Sequence, residues 1–319
     1  MFAGWLDGYT QSLLIFGGIN VIAAYSFYAP YKTGQVSLGQ AGFMAVGAYA
    51  SAILTQKFGM PFAVALVFGG AVAGAIGVMV GFPALRIKGI YLLLLTLGFS
   101  EIMSVIALSW EYIGGAQGFR NISFNNYTLE YVAGIIIVLL LFFARLERSS
   151  LGRAMDSIHQ DETAAEVMGI DVVRIKLLAF GLGAFIAGLA GALYAHHATY
   201  MDSTTFNIML SVEILVFVVV GGGSTFCGPL LGAAVLNAIP EFLRALREWL
   251  ELIPVEWTNF YPMNTAYDVL HDFLDFENAK RLIAYGVILI LMMIFRPDGL
   301  LTRDSLRRLW LPRWKARHA

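Results

Sequence analysis

The chain has 319 residues, of which 58% are hydrophobic and only 13% are charged, and its mean hydropathy is +0.71. Soluble domains average about 45–50% apolar and about 25% charged residues, so this composition is typical of a membrane protein. The 21 basic and 22 acidic residues leave a net charge of −1, which argues against a nucleic-acid partner, and the single cysteine, Cys227, excludes an internal disulfide.

Long apolar runs recur from one end of the chain to the other. A helix needs about 20 mostly apolar residues to cross the hydrocarbon core of a bilayer. This criterion predicts an all-α, polytopic membrane protein with one transmembrane domain over 1–319. The nine predicted spans lie near 10–30, 40–57, 61–83, 89–109, 129–146, 175–196, 207–221, 226–245 and 281–296.

Two places interrupt this pattern of spans. The seventh and eighth spans are short and are separated by Gly221, Gly222 and Gly223, where a helix should break. The stretch 197–210 is too polar to cross and is predicted to be a surface or re-entrant helix. Residues 34–43 and 223–232 both place glycines five apart just before an apolar span, which suggests an inverted repeat with interrupted helices.

Charge in the loops predicts the orientation. Short loops rich in lysine and arginine face the cytoplasm, so the loop 147–174 and the basic tail 297–319 are predicted to be cytoplasmic. The segment 246–279 carries seven carboxylates between positions 248 and 277 and no basic residue there, so it is predicted to be external. The N-terminus then lies outside. We expect the external segment either to contact a binding protein or to form a structural lid.

No constellation of residues indicates covalent chemistry. The glycine run at 221–223 lacks the lysine of a phosphate-binding loop, so any ATP that drives the protein must be hydrolysed by a separate subunit. His196 and His197 are adjacent, which points their rings about 100° apart on a helix and disfavours a shared metal ion. The sequence therefore predicts neither catalytic residues nor a metal site.

Polar residues inside the spans are candidates for a solute pathway or for helix breaks. A carboxylate within a span costs about 2.5–3.5 kcal/mol on insertion scales, so Glu101 and Glu213 are expected in the bundle interior rather than facing lipid. In a secondary transporter these two groups would carry protons. The full set of candidates is Gln35, Ser37, Gln40, Thr96, Glu101, Glu213, Gly221, Gly222 and Gly223.

The polar stretch 159–170, HQDETAAEVMGI, reads as a short helix between two apolar segments. Asp161 and Glu162 favour a helix start, because acidic side chains stabilise the positive end of the helix dipole. Gly169 is placed as a C-cap glycine. Ala164 and Ala165 are expected to present a nearly flat surface. Two interpretations remain open, an amphipathic helix lying on the membrane and a helix that docks on a cytoplasmic protein.

Several motifs in order resemble one class of permease. They are TGQVSLGQAGF (33–43), RIKGIYLLLLTLGFSEI (86–102), GGAQGF (114–119), LERSSLGRAMDSIHQDETAAEVMGI (146–170), VVVGGGSTFCGPLLGA (218–233) and RPDGLL (296–301). Together they resemble the M-type membrane subunits of bacterial ABC importers for branched-chain amino acids. The resemblance runs from about Thr33 to Leu301.

This resemblance implies an importer permease in the bacterial inner membrane that works by alternating access. It implies a second homologous permease, a periplasmic solute-binding protein and two cytoplasmic ATPases that bind ATP and Mg, with no cofactor on this chain. The family also includes importers of urea, amides and aromatic acids, and an ion-coupled secondary transporter of a small polar solute is the alternative. The resemblance further implies that the segment DETAAEVMG couples to an ATPase through Asp161, Glu162, Ala164, Ala165, Glu166 and Gly169.

Overall fold

The computed structural model describes residues 8–251 apart from Arg86, Lys88 and Asn126, together with Gly286, Ile290 and Ile294. Three predicted segments lie outside the described residues. They are the basic tail 297–319, the external segment from residue 252 onward, and the ninth predicted span except for the three residues just named.

Helices make up almost all of the described chain. They are α1 (Gly8–Tyr31), α2 (Gln40–Phe58), α3 (Phe62–Ala84), α4 (Ile90–Ser109), α5 (Thr128–Arg148), α6 (Ser150–Gln160), α7 (Glu162–Val167), α8 (Val172–Ala198), α9 (Ile208–Gly221) and α10 (Gly228–Glu251), with two 3-10 turns at Glu111–Ile113 and Gly115–Gln117. The predicted all-α fold is confirmed, and each of the first eight predicted spans coincides with one helix.

Five helices are long and apolar enough to cross a membrane, namely α1, α3, α4, α5 and α8. Helix α9 is apolar but shorter, at 14 residues. These five helices are counted by length and composition within the described residues only. The nine spans that the sequence predicts therefore stay a prediction.

Helix α8 lies at the centre of the bundle and packs against α1, α2 and α3. Small residues permit this, since a Cβ atom at Gly191 would collide with the backbone carbonyl of Met44 in α2, and one at Gly47 would collide with the backbone of Gly188. In lipid, where apolar surface gains little from burial, such close backbone approach supplies the dispersion contact that holds helices together.

The segment after α8 is not the surface or re-entrant helix predicted for 197–210. Residues 199–207 are non-helical, and Met201 forms an isolated antiparallel bridge with Phe119. The hydroxyl groups of Thr204 and Thr205 donate to the Asp202 carboxylate, at 3.0 and 2.7 Å, and these hydrogen bonds lower the pKa of Asp202. Such local side-chain bonds compete with helix formation, which is why polarity alone misled the prediction.

Candidate functional site

The loop of residues 149–171 folds into two short helices with defined ends. Ser149 begins α6, because its hydroxyl accepts a hydrogen bond from the N–H of Gly152 at 3.1 Å. Asp161 begins α7, and its carboxylate accepts from the N–H groups of Thr163 and Ala164 at 2.9 and 3.0 Å. Both side chains satisfy helix N–H groups that have no partner within the helix. We call residues 149–171 the α6–α7 loop.

Gly169 ends α7 as the sequence predicts. Its φ is +84°, and its N–H donates to the carbonyl of Glu166 at 2.9 Å, while the N–H of Ile170 donates to the carbonyl of Ala165 at 3.1 Å. These two bonds form a Schellman motif, which requires the left-handed conformation that glycine adopts without strain. The helix is therefore a fixed unit rather than a frayed linker.

The side chains of α7 divide into an anchored and an exposed set. Ala165 is only 3% exposed and packs against Ile158 and Val172, so the expectation that both alanines face outward is wrong for Ala165. Its neighbour Ala164 is exposed. The Glu162 carboxylate lies 2.9 Å from Lys176 Nζ of α8 and so points back toward the chain's own bundle.

The exposed surface of α7 also includes residues that the sequence prediction missed. Val167 and Met168 are 84% and 82% exposed, beside the exposed carboxylate of Glu166. The signal in the sequence was present, because two adjacent apolar residues stand before the C-cap glycine of an otherwise polar helix. An exposed apolar pair at the end of a polar loop indicates a contact with another protein or with the membrane surface.

A second polar site lies where the chain breaks between α1 and α2. Gln35, Ser37, Gln40 and Thr96 are all buried, and residues 35–39 form neither helix nor strand. The structure thus brings Thr96 of α4 next to the three residues that precede or begin α2, and their role in solute passage stays a prediction.

Hydroxyl groups from two other helices satisfy the backbone of this break. The N–H of Leu38 donates to Thr96 Oγ1 at 3.0 Å, and the N–H of Ala41 donates to Ser211 Oγ at 3.0 Å. Ser100 donates to the carbonyl of Leu38, also at 3.0 Å. Ser100 is one of the polar residues that the sequence places in the fourth span, whereas Ser211 was not among the candidates, and its only signal is a hydroxyl in the apolar run of α9.

The glycine run after α9 forms a tight turn. Gly222 has a φ of +100°, and a Cβ atom at Gly221 or Gly223 would collide with the backbone of Gly228 or the ring of Tyr31 respectively. The predicted break is confirmed. Its glycines are explained by the close approach of α9, α10 and the end of α1.

A cavity of about 710 Å³ lies among α1, α9 and α10. Across it the side-chain amide of Asn20 donates to Asn237 Oδ1 at 2.7 Å, and Glu213 also lines the wall. Glu213 is half-buried at this cavity, and its predicted role in the bundle interior stays a prediction.

Glu101 is exposed on the outer face of α4, so its predicted interior position is wrong. The inner face of α4 belongs to Leu92, Thr96 and Ser100, which are spaced four residues apart. Glu101 follows Ser100 and is rotated about 100° away from that face.

His196 is part of the packed interior. His196 is fully buried and donates from Nδ1 to the carbonyl of Ala192 at 2.8 Å, while its Nε2 accepts from the hydroxyl of Thr55 at 3.0 Å. Over the described part of the chain, no group of three or more His, Cys, Asp or Glu residues is arranged to hold a metal ion.

Comparison with known proteins gives consistent matches over most of the chain. A family model described as "Branched-chain amino acid transport system / permease component" matches residues 9–294. The chain is 31% identical to the "High-affinity branched-chain amino acid transport system permease protein LivM" of Salmonella typhimurium and to that of Escherichia coli, over 93% of this chain and 70% of each relative. It is 26% identical to the "Probable branched-chain amino acid transport permease protein LivH" of Methanocaldococcus jannaschii, over 71% of this chain and 78% of that relative. No solved structure matches the chain significantly.

Proposed function

The chain belongs to the family of branched-chain amino acid transport system permease components, and on that premise we propose that it carries branched aliphatic amino acids inward as one permease subunit of an ATP-driven, binding-protein-dependent importer. The names of the relatives from Salmonella typhimurium and Escherichia coli support this choice of substrate over urea, amides or aromatic acids. The chain itself supplies transport and no covalent chemistry.

The α6–α7 loop is the observation that carries the proposal. It presents a capped helix whose buried residue, Ala165, fixes it to the bundle and whose exposed residues Ala164, Val167 and Met168 are free of contacts that would bury them. A rigid helix with an exposed apolar end suits a groove on another protein. We assign that groove to a cytoplasmic ATPase subunit, so that Glu166 and Met168 belong to the docking surface.

The remaining components follow from the same proposal. Two ATPase subunits bind ATP and Mg, a second homologous permease completes the membrane unit, and an external binding protein delivers the solute. The α6–α7 loop then faces the cytoplasm and the N-terminus faces outside. The external segment 246–279 is offered as the contact for the binding protein.

The docking surface is tested by charge substitution. We expect Met168→Asp, combined with Val167→Asp, to lower co-purification of the ATPase subunits at least about tenfold, because desolvating two unpaired carboxylates opposes association. Insertion of the permease in the membrane should be unchanged. Met60→Asp is the matched control, since Met60 is 46% exposed in the connection between α2 and α3. Normal ATPase binding by the double variant contradicts the docking role.

The substrate is tested separately in vesicles that contain the reassembled importer with its binding protein. Leucine or valine should stimulate ATP hydrolysis and accumulate inside, whereas urea, acetamide and benzoate should do neither. Stimulation by one of the latter compounds alone would reassign the substrate while leaving the permease role intact.

A further inference from the structure

A buried lysine joins three helices at the base of the α6–α7 loop. Lys32 directly follows α1 and is only 4% exposed. Its Nζ lies 3.4 Å from Glu147 Oε1 near the end of α5 and 3.4 Å from Asp156 Oδ1 in α6. The hydroxyl of Tyr28 donates to the same Glu147 oxygen at 2.9 Å. One ammonium group therefore lies between two carboxylates on different helices.

A second contact ties α6 to the same end of α1. The Nδ1 of His159 lies 3.1 Å from the carbonyl oxygen of Tyr31, to which it donates, and the two rings are 5.6 Å apart between centroids. The middle and the end of α6 are thus both fixed to residues 31 and 32. Met155 and Ile158 of the same helix are buried as well, so apolar packing adds to these polar contacts.

Lys32 stands in the chain directly before the break between α1 and α2. Immediately after Lys32 the chain enters the buried break between α1 and α2, where Thr33 and Gln35 share a hydrogen bond and Leu38 bonds to α4. A displacement of α6 that moves Asp156 also moves Lys32, and the next residues belong to the break. The α6–α7 loop and the polar break are therefore connected within a few residues.

A buried ion pair suits this connection because separating its charges requires a large free energy. Drawing a buried ammonium away from its carboxylates leaves unpaired charge in a poorly hydrated site. Apolar contacts slide past one another at less cost. The three-helix cluster should therefore move as one body.

We propose that Lys32 is the positioning residue that transmits movement of the α6–α7 loop to α1 and to the break at residues 33–39, an inference that rests on the proposed docking of this loop on an ATPase. Glu147 and Asp156 are its two partners. The cluster acts through the helices and contacts neither ATP nor solute.

The test uses a variant that removes the charges without leaving one unpaired. In Lys32→Met with Glu147→Gln and Asp156→Asn, no buried charge lacks a partner and the volumes are nearly kept. We expect ATPase binding and basal ATP hydrolysis to stay within about twofold of wild type. The number of solute molecules imported per ATP should fall at least about tenfold, since coupling energies of this kind correspond to about 5–150-fold. Lys32→Arg, which keeps the charge, should retain most of the import per ATP.

Two results would overturn the proposal. Unchanged import per ATP in the triple variant would show that the cluster transmits nothing. Loss of ATPase binding in that variant would make Lys32 a folding residue of the loop instead. Failure of the wild-type chain to bind any ATPase is a different outcome, because it removes the proposed function itself.

Discussion

At the scale of single residues, the two polar sites depend on side chains and on a glycine that complete backbone hydrogen bonding. Ser211 and Thr96 accept from N–H groups at the start of α2, and Asp161 does the same for α7. Gly169 closes α7 with a φ of +84°. The N–H groups of Leu38 and Ala41 are buried within the bundle, where no water can replace a lost acceptor, whereas the caps of α7 lie at an exposed surface.

Replacing the α7 C-cap glycine gives a residue-scale prediction. Gly169→Ala forces a Cβ atom into the left-handed region, which costs about 1–2 kcal/mol. We expect the amides of Gly169 and Ile170 to exchange hydrogen roughly 5–30-fold faster, measured by mass spectrometry. Gly134→Ala in α5 is the matched control, since a Cβ atom there has nothing within 4 Å. Unchanged exchange in Gly169→Ala would mean that α7 is not held by this motif.

Removing the hydroxyl of Ser211 gives a second prediction at the residue scale. Ser211→Ala leaves the buried N–H of Ala41 without its acceptor, at a cost of about 1–3 kcal/mol. The thermal midpoint of the purified protein should fall by roughly 2–10 °C. Ser109→Ala, at the exposed end of α4, should not change it. Equal midpoints for the two variants would contradict the capping role.

At the scale of helices, the sequence predicts existence and length well, because lipid thickness dictates both. The sequence predicts less well which face of each helix points into the bundle. Glu101 was expected inside and lies outside, since Thr96 and Ser100 occupy the inner face by bonding to a break that lies 58 residues away in the chain. Ala165 was expected outside and is buried by α6 and α8. Which face of a helix is covered depends on partners that a local pattern does not contain.

The contact of α2 with α8 is the helix-scale prediction. A Cβ atom at Gly191 would meet the backbone of Met44, which cannot retreat as a flexible side chain would. Gly191→Ala should therefore cost about 3 kcal/mol or more, at the upper end of overpacking. Size-exclusion chromatography with fluorescence detection should show a smaller monodisperse fraction after heating. Gly98→Ala in α4, where the space is open, should behave as wild type; equal losses in both would contradict the close packing.

At the scale of the whole molecule, the two candidate pathway carboxylates, Glu101 and Glu213, differ in setting. Glu213 lines the cavity among α1, α9 and α10, whereas Glu101 lies on the outer face of α4. A proton carrier that works alone needs a carboxylate which alternates between two aqueous sides. Glu213 lines a cavity, and ATP-driven import gives it no proton to carry.

Import should accordingly be independent of the proton gradient. In vesicles that contain the complete importer, a protonophore should leave ATP-driven uptake unchanged, and Glu213→Gln should leave its pH dependence unchanged. Uptake measured without ATP serves as the reference, and we expect none. Uptake that persists without ATPase subunits and disappears with the protonophore would favour the ion-coupled alternative.

The capping of α2 also has a consequence for how the protein is made. The N–H of Ala41 has its acceptor in Ser211, which lies 170 residues further along the chain. At about 5–20 residues per second, that acceptor is synthesised roughly 10–35 s after the donor. During this interval the first turn of α2 has an unsatisfied donor, which disfavours its settling in lipid. The second helix should therefore take its final position only after the ninth has left the ribosome. Since α2 has no cysteine of its own, the test uses a nascent chain with one cysteine introduced in the first turn of α2; stopped before residue 211, it should keep that cysteine accessible to water-soluble thiol reagents.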